Sequence, residues 1–533
     1  MVCAYHHTLG DDAIMMFGKP NQAMWHDFFG NTHTDAVSTY QTLRDQPETT
    51  CDNKADGSAY WVPSMKLPDG QVVTPAYQKT YYQTTKVEQY PLHPFPAGLE
   101  LLAGDHHGSA PSSRITFLCA NGKGYSNQAG EVCGLRKGGD AVQFNIGIQF
   151  PNCWDGVNLK PAHGHSNAAY DVNGACPSDY PVKIPTVNMN VAYVLPQITS
   201  LDTAKIQLSL DPIMDGEKRE ERWGSIYTAH ADFMNGWTVE GAHYMTERCM
   251  NKGIDCGSAV PYRFTSVKEN ALVDSTAPTV AHPAPENLVV SDNWQNGGRT
   301  HNPETMTLVK FPIPPLPQDQ DASLFKYQLR IYGGKVETNG ADQIFFYPAS
   351  NDWSANSVTW NHRPPCNYSS EASLYLNSKR EYRMVDVDKA VRKALAEGKT
   401  EISWYIGGDR QGNRYHFDPA GSQQEPMLML MGFKIPRRSD CGPSPGDGFA
   451  DGGEPVARAR RLRRPREQSA VRHNSPEVML RICPGYRMAD GGGPVARAGA
   501  CAAPGSRAQC GIISRRRCCA SVRATVWQTA VDL

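Results

Sequence analysis

The stretch Phe325–Tyr332 reads FKYQLRIY. Phe325, Tyr327, Leu329 and Ile331 alternate with Lys326, Gln328 and Arg330. An extended chain turns successive side chains to opposite faces, so the segment predicts a strand with one buried face and one wet face. QIFFYPA (343–349), EISWYIGG (401–408) and PMLMLMGF (426–433) repeat the signal across about 289–433. One helix interrupts it. Asp386 or Asp388 caps its start, Val387, Val391 and Leu395 fall at i, i+4 and i+8, and Gly398 ends it. Many short strands with one helix predict a β-sandwich, jelly-roll-like in kind.

The chain upstream is also β-rich. VQFNIGIQF (142–150) and VNMNVAYVLPQI (187–198) alternate in the same way, and the best helical candidate is Asp35–Asp45. Residues 1–262 form one compositional block, rich in aromatic, Asn, Gly and Pro residues. Between the blocks, 263–288 reads as a linker, its core being VDSTAPTVAHPAPENL (273–288). The last segment, 434–533, carries 17 arginines and Lys434 against eight acidic residues. It lacks a hydrophobic period and predicts a disordered tail. A basic tail gripping nucleic acid or an anionic wall is the sharper alternative.

The rest of the chain carries 35 basic and 46 acidic side chains, which argues against nucleic-acid binding by the folded part. No run of about 18 apolar residues predicts a membrane span. Of 15 cysteines, eight precede residue 260 and none lies in a C-x-x-C pair. A zinc ribbon is disfavoured; disulfides and an oxidising compartment are expected. Four bridges can pair in 105 ways. Neighbours are favoured: Cys119–Cys133, Cys153–Cys176 and Cys249–Cys256, leaving Cys3–Cys51. MVCAYHHTLGDDA has neither the basic start nor the apolar core of a signal peptide, so the N-terminus is expected to be incomplete.

Phosphate loops, G-x-S-x-G elbows and H-E-x-x-H pairs are absent. What remains is scattered histidine and aspartate. MWHDFFGNTHTD places His26 beside Asp27, AGDHHGS gives Asp105, His106 and His107, AHGH gives His163 and His165, and YTAHADFMNGW gives His230, Asp232, Asn235 and Trp237. Imidazole titrates near neutrality and a carboxylate can orient it, so such sets can transfer protons or bind a transition metal. An H-x-H pair in a strand would put both rings on one face, which makes His163 and His165 the metal candidates.

WHDFFGN (25–31), TTCDNKADGSAYWVP (49–63), YYQTTKVEQYPLHPFPAGLELLAGD (81–105), FPNCWDGVNLKP (150–161) and AHADFMNGW (229–237) together resemble the domain of unknown function 1996 family. The resemblance covers about 1–262. It implies secretion and a neighbouring carbohydrate-binding module, and no established reaction. His230, Asp232 and Asn235 match its third motif. Met24 stands where the family tends to carry a histidine, and Gly164 and Asn167 stand at two further histidine positions, which shifts His163 and His165 out of step. NPETMTLVKFPIP (302–314), SLFKYQLRIYG (323–333), WSANSVTWNHRPP (353–365), VDVDKAV (385–391) and EPMLML (425–430) resemble the DNRLRE family, close to carbohydrate-binding module family 96. That resemblance implies a sandwich that binds polysaccharide, with Trp353, Trp360, His362 and Tyr405 as the aromatic and polar candidates for stacking on sugar.

The leading expectation is a secreted protein acting on or attached to extracellular polysaccharide, with the cofactor and the oligomeric state left open. As a hydrolase or lyase it would use His26, Asp155, His230, Asp232 and Asn235. A non-catalytic wall-binding protein and a metal-dependent oxidative or hydrolytic enzyme are the alternatives. Both enzyme readings require His26 and His230 to meet in space.

Overall fold

The computed structural model describes residues 1–216, 218–295, 300–338, 340–366, 369–408 and 413–433. The tail expected to be disordered, 434–533, lies outside them.

Nine antiparallel strands build the first sheet. In spatial order they are Glu100–Gly104, His230–Met234, Ala59–Pro63, His26–Gly30, Val2–Leu9, Tyr77–Gln83, Thr186–Leu195, Val142–Gln149 and Ile115–Cys119. The two alternating stretches at 142–150 and 187–198 are therefore neighbouring strands, paired from Val142↔Leu195 to Gln149↔Asn188. The sheet's two halves close on one core. Phe29, Tyr60, Leu101 and Phe233 come from one half, and Phe117, Phe144, Ile146 and Tyr193 from the other. The helix expected over Asp35–Asp45 is confined to Tyr40–Asp45. Thr39 and Thr42 cap each other there, while Asp35 and Ser38 hydrogen-bond within a turn and compete with helical backbone bonds.

All four expected disulfides form: Cys3–Cys51, Cys119–Cys133, Cys153–Cys176 and Cys249–Cys256. The widest spans 48 residues. By the loop-entropy model a closure of that size stabilises by about 4 kcal/mol.

Eleven strands form the second sheet system. The apolar half of FKYQLRIY is buried as expected, with Phe325, Tyr327, Leu329 and Ile331 in the core beside Trp404, Phe417, Leu428 and Leu430; the other face is wet at Lys326 but not at Arg330, which is buried. The helix is Asp388–Ala396; Asp386 accepts the Asp388 N–H at its start and Gly398, at φ +73°, follows its end.

The linker expected over 263–288 needs correction. Arg263–Ser266 pairs with Met427–Gly432, and Glu269–Asp274 pairs with Thr300–Pro312. Asn270, Ala271 and Val273 are buried, so this segment contributes core that the neighbouring Pro/Ala composition masked. The remainder is also tied down, through Leu272 N–H to the His282 carbonyl (3.3 Å) and Asn361 N–H to the Pro278 carbonyl (2.9 Å).

The two sheet systems lie in one compact unit. Met427, Met429 and Met431 pack into the first core, while Leu428 and Leu430, on the strand's other face, pack into the second. Buried Arg330 crosses the same seam. Its guanidinium donates to the Tyr244 hydroxyl and lies 4.0 Å from the Tyr382 ring centroid. Among the described residues, no helix is long and apolar enough to cross a membrane.

Candidate functional site

Strand register assembles the site. His26 stands opposite Pro63, Phe28 opposite Trp61, Asp232 opposite both Trp61 and Leu102, and His230 opposite Gly104. Directly opposed residues share a face. His26, Phe28, Trp61, His230 and Asp232 therefore project from the same side of the sheet. Only the Pro63 strand separates the two histidines, and their rings approach across it with centroids 5.9 Å apart. Gly104 has φ +88°, and a Cβ there would meet the Ala229 carbonyl oxygen at 2.3 Å, so only glycine fits. Asp27, one residue on from His26, points to the other face; its carboxylate accepts from Thr8 and Ser64.

The Gly10–Trp25 segment lies against this face. Asp11 holds it by accepting the Asn21 and Ala36 N–H groups, Asp12 by accepting those of Ile14 and Met15, and Arg219 by donating to the carbonyls of Asn21 and Ala23. The Asp11 carbonyl takes a hydrogen bond from His26 Nδ1 at 2.9 Å, and the Thr228 carbonyl takes one from His230 Nδ1 at 2.8 Å. A carbonyl can only accept, so both rings carry their proton on Nδ1 and present a lone pair on Nε2. His26 Nε2 is buried without a hydrogen-bond partner. One ligand-capable atom from each of His26, His230 and Asp232 lies within 4.8 Å of the others.

Electrostatics keep these rings neutral. Burial lowers His26 to about 4, against the opposing pull of the Asp11 carbonyl. Burial, with neighbouring His26, lowers His230 to about 4. Burial also pushes Asp232 well above the usual carboxylate range, and Asp12, Asp211 and Glu100 push it further. Glu100 is itself raised by burial; one oxygen pairs with Lys160 at 2.8 Å and the other, Oε2, is buried without a partner. Exposed His106 lies beside His230, with centroids 6.0 Å apart, and stacks near exposed His107. The cluster thus sits just below a histidine-lined rim.

The other sequence candidates lie elsewhere. Asp155 caps its own turn. Slight burial raises it, but the N–H groups of Val157 and Asn158 and the Asn158 amide outweigh that and leave it lowered. Asn235 braces a loop through the Pro96 carbonyl and the Trp237 N–H. The expected strand geometry of His163 and His165 needs correction. They flank Gly164, at φ +73°, in an exposed tight turn where Ala162 and His165 bridge, and neither joins a metal-capable cluster among the described residues. The second such cluster, Cys3, Cys51 and Asp56, has its sulfurs committed to a disulfide.

In the second domain, Tyr405 is fully buried with its hydroxyl on the Pro364 carbonyl, so it offers no ring to a sugar. Trp360 lies in a loop, half-buried, with Arg363 3.8 Å from its ring centroid. Trp353 is half-buried, donates to Ser403 and has Lys310 4.6 Å from its ring centroid. His362 is exposed. An open recess of about 590 Å³ lies beside Trp353, lined by Pro348, Ala349, Ser350, Asn351, Asp352 and Lys399.

Asp12 and Glu100 join the site although no motif in the sequence marks them. The signal available was the acidic pair Asp11–Asp12 ahead of His26, which gains meaning only once the segment is known to lie against His230.

No curated protein matches the chain. Residues 12–237 match the family model described as Domain of unknown function (DUF1996), which spans every member of the cluster. With residues 261–432 matching Carbohydrate-binding module family 96, the chain is a carbohydrate-associated multidomain protein whose two matches follow the order of its motifs.

Proposed function

We propose that the protein is secreted and acts on an extracellular polysaccharide, with the second domain holding the glycan and the His26–His230–Asp232 face of the first domain meeting it. The observation that carries this reading is the convergence of His26, His230 and Asp232, within 4.8 Å, in a domain that shares a core strand with a carbohydrate-binding match. Four disulfides fit an oxidising compartment. The rim supplies what a sugar surface requires. Phe17, half exposed, offers an apolar ring with the Lys160 ammonium 5.4 Å from its centroid, and His106 and His107 offer polar edges. A neutral imidazole with a free Nε2 can accept a proton, the step that hydrolysis and elimination both need.

A second reading, a wall-binding protein without turnover, is favoured by the depth of His26 and Asp232, 1% and 2% exposed. The test incubates the full chain with a panel of insoluble polysaccharides, measuring pull-down and released oligosaccharide together. Pull-down with product, the product lost in His230→Gln at unchanged pull-down, supports the enzyme. Pull-down without product supports the second reading, and no binding to any glycan refutes both.

A further inference from the structure

We infer that His26, His230 and Asp232 form a binding site for one divalent transition-metal ion of the zinc class. Three independent features point there. The first is ligand type. Two imidazole nitrogens and one carboxylate suit zinc, iron, copper or nickel, whereas calcium and magnesium favour sites made only of oxygen. The second is presentation. Each histidine donates Nδ1–H to a backbone carbonyl, Asp11 for His26 and Thr228 for His230, which fixes the tautomer and aims the Nε2 lone pair away from that bond. This outer-shell arrangement is the one that orients metal-binding histidines. The third is the orphan. His26 is 1% exposed, yet its Nε2 has no hydrogen-bond partner. Leaving a buried acceptor unsatisfied is costly, and a metal bond would remove that cost.

The spacing is close to that of a formed centre. Ligands about 2.1 Å from a metal stand roughly 3–3.5 Å apart, so atoms within 4.8 Å need only small side-chain rotations. Three protein ligands below an exposed histidine rim leave a position for water or substrate, the pattern of catalytic rather than structural sites.

The inference stands apart from the glycan reading, since metal can bind whether or not sugar is turned over; with the ion bound, the Nε2 lone pairs are taken and a metal-bound water would replace the imidazole as the proton-accepting group. The full chain is stripped with chelator and dialysed against Zn²⁺ or Co²⁺, and bound metal is counted by mass spectrometry. One equivalent is expected, with affinity falling at least about 100-fold in His26→Gln and in His230→Gln and unchanged in His163→Gln/His165→Gln. Pulsed electron paramagnetic resonance on the Cu²⁺-loaded wild type needs no variant and should show two coordinated imidazoles. Absence of binding, binding that survives both single substitutions or depends on the exposed pair, or fewer than two imidazoles in the resonance spectrum would overturn the site.

Discussion

Substituting Gly104 by alanine tests the close strand contact on which His230 is seated. The position has φ +88°, and the new Cβ would lie 2.3 Å from the Ala229 oxygen and 2.6 Å from His230 Cα. A left-handed conformation costs a non-glycine residue about 1–2 kcal/mol. Both clashing atoms belong to backbone and cannot rotate aside, so the strands Glu100–Gly104 and His230–Met234 must part by about 1 Å. Losing two ladder hydrogen bonds at about 1 kcal/mol each brings the total to about 3–4 kcal/mol. Gly164→Ala is the control. It has a similar φ of +73° but nothing within 4 Å of the new Cβ, so it should cost only the conformational part, about 1–2 kcal/mol. Urea unfolding of both variants measures the difference directly. Values within 0.5 kcal/mol of each other would refute the claim that strand contact, rather than backbone conformation alone, dictates glycine at 104.

Two further outcomes follow from buried charge. Burial raises Asp56 to about 6, against hydrogen bonds from Tyr60 and Ser58. Between pH 4 and 6 the folded state keeps a proton that the unfolded chain has lost, so stability falls as pH rises, by up to about 3 kcal/mol. Asp56→Asn should lack that slope, and a wild-type-minus-variant difference that is flat from pH 4 to 6.5 would contradict the assignment. At the seam, Arg330→Ala removes the Tyr244 bond and two ring contacts and leaves a cavity, costing about 3 kcal/mol. Scanning calorimetry should show both domains weakened together, and a shift worth less than about 0.5 kcal/mol would show that the seam contributes little.

Period-two alternation made the strong strands legible, because Phe325, Tyr327, Leu329 and Ile331 each need the same buried face. Neighbour pairing of cysteines was legible for a related reason: short loops bring them together before long-range contacts are needed. Arg263–Ser266 was not legible. It has four residues, all half-buried, too few to show a period. Glu269–Asp274 was hidden because its buried positions are Asn270, Ala271 and Val273, weak strand formers apart from the valine. At the site, the histidine segments could be named from sequence, but their convergence depends on a strand order that joins residues 26, 61, 102 and 232 across the sheet. Asp12 was hidden on the same ground: it acts on His230 and Asp232 from a segment 218 or more residues away in the chain, whereas Asp155 binds its own turn.

The strand Met427–Gly432 has a consequence for how the protein is made. Its methionines complete the first domain's core and its leucines complete the second's, while Lys54 N–H donates to the Gly432 carbonyl. A ribosome must therefore deliver the chain through this strand before the first domain's core has all its side chains. Until then the first core keeps an apolar seam open, and a chain ending before Met427 would leave both cores unfinished. The chain behaves as a box whose final board closes two compartments at once.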